Sequence, residues 1–249
     1  MRRTCYFNLG LVGFLITALA AMSPSPAYCN PFVDDFEGPG LDPFWSTRTD
    51  AGAVFFPSTE QVHGGDQAVK LNSTANTGEK YIWLFHDFDE PVYGSASVWM
   101  YDTGADELSS NYMGLYLLGE DANSNLQAFD YDLGPTNGGN YYYFNTAVST
   151  SSITSGIDRT KDWHELSISS LPDLLRFEID GEVVHESVHG TSFDSIVLQM
   201  SGPTWRPAYS TYFDDFSFTP IPEPSAFMLA AGCGMVLFLR RRRARRVLP

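Results

Sequence analysis

Leu175-Arg176-Phe177-Glu178-Ile179-Asp180-Gly181-Glu182-Val183-Val184 carries an apolar side chain at every second position as far as Ile179. A period of two is the spacing of a strand with one face in a core and the other in water. Asp180-Gly181 then falls between two such runs and marks a two-residue hairpin turn. Outward from this stretch, short and often alternating runs recur at Ala53–Phe56, Ala68–Leu71, Lys80–Phe88, Ala96–Tyr101, Tyr112–Leu118, Gln127–Asp132, Tyr141–Asn145, Trp163–Ser167, Ser195–Met200 and Thr211–Phe218. Gly, Pro, Asn and Asp punctuate them. Many short strands at a spacing of about 8–12 residues predict an all-β domain, a sandwich or a barrel.

The charge is unevenly placed. The 249 residues hold 30 acids and 15 bases, a formal net charge of −15. Eight of the bases are terminal arginines, so residues 30–219 carry 29 acids against 7 bases. A body this acidic repels phosphate backbones, which excludes a nucleic-acid partner. Aromatic residues make up 14% of the chain, enough apolar surface to exclude a disordered body. Cys5, Cys29 and Cys233 all lie in the terminal segments. The middle therefore has no disulfide, no thiolate metal site and no cysteine nucleophile.

The two ends have the composition of addresses. Arg2 and Arg3 precede an apolar run from Leu9 to Met22, and Ser25 and Ala27 follow as small residues. That order is a secretory signal peptide over residues 1–29, with cleavage expected after Ala27 or after Cys29. At the other end Ile221-Pro222-Glu223-Pro224-Ser225 is followed by an apolar run from Ala226 to Leu239 and then by Arg240, Arg241, Arg242, Arg243, Arg245 and Arg246. The run is expected to form a transmembrane helix, with snorkelling arginines extending its reach toward the roughly 20 residues of a full span. The arginines stay cytoplasmic by the positive-inside rule, which leaves the acidic domain outside the inner membrane.

Residues 220–249, with Pro222, Glu223, Pro224 and the arginine cluster, resemble the PEP-CTERM sorting signal of Gram-negative and related bacteria. That resemblance implies recognition by exosortase, an integral-membrane transpeptidase-like enzyme, in a system that accompanies exopolysaccharide production. The expected history is export by the secretion machinery, an inner-membrane-anchored precursor, and release to the cell surface or extracellular matrix. Residues 30–219 form the single folded domain between the signal helix and the membrane helix.

The body carries a second resemblance. Asp162-Trp163-His164-Glu165-Leu166-Ser167-Ile168, followed by Leu175 to Val184, resembles the paired strands late in concanavalin-A-like domains. Laminin-G-type modules, legume-type lectins and laminarinase-type glycoside hydrolases share that fold, a two-sheet antiparallel β-sandwich of jelly-roll type. The opening Phe32-Val33-Asp34-Asp35-Phe36-Glu37 and the closing Tyr212-Phe213-Asp214-Asp215-Phe216 fit its habit of pairing the terminal strands. Glu178-Ile179-Asp180-Gly181-Glu182 also imitates the hydrolases' row of carboxylates, which must share one face of one strand. A turn at Asp180-Gly181 breaks such a face, so these acids are expected to be catalytically idle. The earlier pair Asp130 and Asp132 lacks a third acid, and no metalloprotease histidine spacing or serine elbow is present. No catalytic set is therefore expected.

Two binding expectations remain. Paired terminal strands would bring Asp34 and Asp35 near Asp214 and Asp215, an oxygen-rich cluster of the kind that holds a structural Ca2+. Extracellular polysaccharide is the expected ligand of a non-catalytic module, because sugar rings stack on exposed aromatics and bond to carboxylates. Trp205, in a Gly-Pro-flanked loop, is the first platform candidate, followed by Tyr141 and Tyr143. Trp83, Trp99 and Trp163 lie within predicted strands and are expected to be packing residues. A structural surface protein without a specific ligand, or a laminarinase-type glycoside hydrolase, is the alternative. In a host with exosortase, mass spectrometry of the secreted form is expected to find no peptide containing Arg240–Arg246; mature protein retaining them overturns the sorting expectation.

Overall fold

The computed structural model describes residues 30–49, 53–73, 80–104, 112–119, 129–135, 140–145, 153–188, 191–202 and 209–221. The signal peptide, the Pro222-Glu223-Pro224 motif, the expected membrane helix and the terminal arginines lie outside them. Among the described residues every regular element is a strand, and no helix is long and apolar enough to cross a membrane. The strands are β1 (Phe32–Asp34), β2 (Ser46–Thr49), β3 (Ala53–Ser58), β4 (Ala68–Ser73), β5 (Lys80–Tyr101), β6 (Tyr112–Gly119) and β7 (Phe129–Pro135). They continue with β8 (Asn140–Asn145), β9 (Ile153–Asp158), β10 (Trp163–Leu171), β11 (Leu174–Ile179), β12 (Glu182–Ser187), β13 (Phe193–Gly202) and β14 (Tyr209–Ile221).

All pairings are antiparallel, and β5 belongs to two sheets. Its first half pairs with β13 and β2, and its second half, from Tyr93 to Tyr101, pairs with β10 and β14. The first sheet runs β3-β4-β14-β5-β10-β11-β12, with β1 beside β14 at Phe32 to Asp34; the second runs β2-β5-β13-β6-β7-β8-β9. The sequence predicts two strands, Lys80–Phe88 and Ala96–Tyr101, where the chain forms one of 22 residues. Pro91 and Gly94 are not a break. They sit where β5 leaves β13 and takes up new partners, a position at which a missing N–H and a missing side chain are tolerated. β2 and β9 escape the sequence pattern because Ser46-Thr47-Arg48-Thr49 is exposed throughout and Gly156 interrupts Ile153–Asp158.

The alternation that predicted strands also builds the core. Ala96, Val98 and Met100 of β5 face Leu166 and Ile168 of β10, and Phe177 and Ile179 of β11 continue the layer. Ile82 and Leu84 on β5, Ile196, Leu198 and Met200 on β13 and Met113, Leu115 and Leu117 on β6 supply the other side. Burial of these side chains, about 1.5–3 kcal/mol each, is the main force holding the sheets face to face.

A charged group also enters this layer. Asp102, at the end of β5, has no solvent exposure and accepts two hydrogen bonds from Arg159, Nε and Nη2 each at 2.7 Å. It also receives the Gly104 N–H at 2.8 Å, and its own N–H donates to the Asp162 carbonyl at 3.0 Å. Burial alone would lower the Arg159 pKa, but the hydrogen bonds and charge of Asp102 overcome it and raise it. The pair therefore fastens the end of β5 to the turn leading into β10. Asp102→Ala would leave the guanidinium buried without its carboxylate, a loss of about 3–5 kcal/mol. Urea denaturation of the variant is expected to show a loss of that size with an unchanged slope; a loss below 1 kcal/mol would mean the arginine finds water instead.

Candidate functional site

The terminal strands meet the 59–67 segment between β3 and β4, and carboxylates make the junction. Asp214, which has no solvent exposure, accepts the N–H groups of His63 (2.9 Å), Gly64 (3.1 Å) and Asp215 (2.9 Å). Burial pushes its pKa up, and these three N–H bonds pull against that shift. β14 bulges here: Asp214 stands opposite Trp99 and Ser217 opposite Ser97, so two residues oppose one. Asp215 takes a φ of 46° in the bulge and its carboxylate reaches His63 Nδ1 at 2.6 Å. Glu37 accepts the N–H groups of Asp66 (2.7 Å) and Gln67 (2.9 Å), and Glu60 accepts bonds from Lys70 and the Tyr212 hydroxyl, both 2.6 Å. Gly65 has a φ of 67°, and a Cβ there would strike the Glu37 carboxylate.

This anchoring lays His63 on the outer face of the first sheet. Its ring stacks on Trp99 with centroids 3.8 Å apart and meets Trp163 edge-on at 5.6 Å. Trp163 meets Tyr101 at 5.5 Å, and Tyr101 meets Tyr212 at 6.0 Å. Strand register explains the grouping. Trp163 pairs with Tyr101, Glu165 with Trp99, and Tyr212 with Tyr101, and directly opposed residues share a face. Trp99, Tyr101, Trp163 and Glu165 are half-buried, while the intervening Val98, Met100 and Leu166 are in the core. Further along the same face come small hydroxyls, with Ser95 bonded to Ser169 at 2.8 Å and Ser97 to Ser217 at 3.0 Å.

Several expectations change against this geometry. Tyr141 is no platform: its ring is fully buried and its hydroxyl donates to Asp102 at 3.4 Å. Alternation along β8 turns it inward, and burial, then the Asp102 charge, push its pKa well above the usual phenol range. Tyr143 is placed only as a backbone partner of Leu133 and Ile153, and Trp205 lies outside the described residues. Trp99 and Trp163, expected to be packing residues, stand on the outer face and not in the core. Trp83 is likewise half-buried outside the main core, with the Arg48 guanidinium 5.1 Å from its ring centroid. The signal that could have found these rings was the alternation itself, since Trp99 and Trp163 sit out of phase with Val98 and Leu166.

The hairpin forms as the sequence predicts. Asp180 and Gly181 take φ values of 51° and 75°, and Ile179 pairs with Glu182 across the turn. Glu178 and Glu182 therefore belong to different strands and cannot form one carboxylate row. Asp180 instead accepts the Glu165 N–H at 2.8 Å and bonds His164 Nδ1 at 2.7 Å, while His164 Nε2 meets the Thr160 hydroxyl at 2.7 Å.

With the fold and this face established, comparison with known proteins adds the class. No protein-family model matches the chain, and no curated protein matches it. Solved structures do match. One, from work on endo-acting O-glycanases with which human gut bacteria initiate mucin breakdown, has a TM-score of 0.55 at 14% identity over 76% of this chain and 98% of that one. A cellulose-induced protein gives 0.55 at 12% identity over 76% and 96%. The laminarinase catalytic domain of Thermotoga maritima gives 0.53 at 13% identity over 75% and 96%. At these identities the likeness is one of fold: the chain shares the jelly-roll fold of these structures.

The carboxylates named for calcium are partly engaged by N–H donors. The terminal strands do pair, Asp34 opposite Phe216, and Asp34, Asp35 and Asp215 line one open cavity of about 840 Å³. Asp34, however, accepts the Phe36 N–H and Trp45 Nε1–H, both 2.8 Å, which oppose the upward push of burial on its pKa. Asp35 accepts the Glu37 N–H at 3.2 Å. Among the described residues no three acidic, histidine or cysteine side chains come together to hold a metal. No three of Asp34, Asp35, Asp214 and Asp215 form a side-chain cage, although each carboxylate oxygen keeps a lone pair that one N–H bond does not use. Melting in millimolar calcium and in magnesium at matched ionic strength is thus expected to give equal shifts from screening alone. A calcium-specific rise of about 5–10 °C, abolished by Asp215→Asn, would restore the calcium site.

Proposed function

We propose that this protein is an exported, exosortase-sorted component of the cell surface or extracellular matrix that binds polysaccharide without cleaving it. The observation that carries the binding part is the group of half-buried rings, Trp163, Tyr101 and Trp99, on the outer face of the first sheet. The axial C–H face of a pyranose packs on such a ring, and neighbouring carboxylates and hydroxyls accept and donate the sugar's hydrogen bonds. Trp99 is capped by His63, so Trp163 and Tyr101 are the surfaces offered to a ligand. The sorting part rests on the order of Pro222-Glu223-Pro224, apolar run and arginines, together with the signal peptide.

The enzymes among the fold neighbours favour a second reading, a laminarinase-type hydrolase. The hairpin at Asp180-Gly181 removes one candidate carboxylate row from it. Both readings meet in one experiment. The exported protein is titrated with β-glucan, chitin-type and cellulose-type oligomers while reducing ends are counted. Binding without release of reducing ends is expected, and Trp163→Ala is expected to weaken it at least about tenfold. Measurable release would transfer the protein to the hydrolases, and undiminished binding by the variant would move the site elsewhere.

A further inference from the structure

The rings on the first sheet are set among carboxylates, and this bears on which polysaccharide they take. Glu165 is two residues from Trp163 on β10, about 7 Å along the strand, and lies directly opposite Trp99 on β5. It is half-buried and has no ion-pair partner among the described residues. Asp162 precedes Trp163 and accepts its N–H at 2.8 Å, and Asp215 lies behind His63. Two cations of the first sheet's surroundings are engaged by other acids: Lys70 with Glu60 at 2.6 Å, Arg159 with Asp102 at 2.7 Å. The Lys161 stem lies along Gly104. The wider field has the same sign, with 29 acids against 7 bases over residues 30–219.

Resting on the polysaccharide-binding reading above, we propose that this face selects cationic polysaccharide rich in free amino sugars, with one pyranose on Trp163 and its ammonium group on Glu165. A pyranose with an equatorial amino group spans the distance between those two side chains. A half-buried carboxylate beside an aromatic ring is a stronger ammonium partner than one in bulk water, because the local dielectric is lower. An N-acetylated sugar keeps the stacking and loses the charge. A uronate polymer brings a negative charge to a face that already repels it.

The test is calorimetric titration of the exported protein with glucosamine oligomers and N-acetylglucosamine oligomers of equal length, at a pH where the free amines are protonated. The glucosamine oligomer is expected to bind at least about tenfold more tightly, with a preference that shrinks as salt rises. Glu165→Gln is expected to bring the two affinities within about twofold, with the larger loss on the glucosamine oligomer; Trp163→Ala is expected to weaken both. Equal affinities in the parent protein overturn the charge selection and leave the polysaccharide reading standing. A preference that survives Glu165→Gln assigns it to the acidic body as a whole and overturns the site. Failure to bind either oligomer or any neutral glycan overturns both proposals. Circular dichroism of each variant separates loss of binding from loss of fold.

Discussion

Asp214 is the point from which the outer face is organised. A carboxylate without solvent exposure is costly, and here three backbone N–H groups offset the cost. Two of those donors belong to His63 and Gly64, about 150 residues away in sequence, so the bonds close a long loop as well as satisfying a charge. The 59–67 segment is held because Asp214 is buried, and the imidazole lies on Trp99 because that segment is held. A neutral residue at this position would save the desolvation and release the segment, which is why the acid is found at a site where burial raises its pKa.

The same logic gives the acids of the terminal strands a structural task of their own. Asp34 and Asp35 line one cavity with Asp215, while Asp214 and Glu37 hold the 59–67 segment. Sequence conveys the count and the neighbourhood of oxygens. It does not convey how many backbone N–H groups a nearby loop will aim at them. Which oxygens those donors reach depends on the three-dimensional path of residues 59–67.

Strand existence was legible wherever one face is buried, because a one-residue slip would exchange core and surface. Leu175–Ile179 and its turn to Glu182 were read to within a residue for this reason. β2 was not, since its four residues are all exposed and no alternation marks them. β5 was read as two strands because local turn chemistry at Pro91 and Gly94 looks the same whether a chain stops or changes sheets. Only pairing partners distinguish the two, and those are non-local.

Tryptophan illustrates the remaining gap between residue type and role. Size and hydrophobicity favour packing for Trp99 and Trp163, yet Trp45 alone among the three enters the main core, at 6% exposure. Phase overrides type: residues one step out of register with Val98 and Leu166 must face outward whatever their chemistry, or the core would lose those two apolar side chains. An outward tryptophan is tolerable only if neighbours cover part of it, and His63, Tyr101 and the opposed Glu165 do so. The cover is incomplete over Trp163, which keeps ring area at the surface beside a carboxylate. A face assembled this way costs the fold little in burial and retains chemistry that a purely structural sheet face would have no reason to carry.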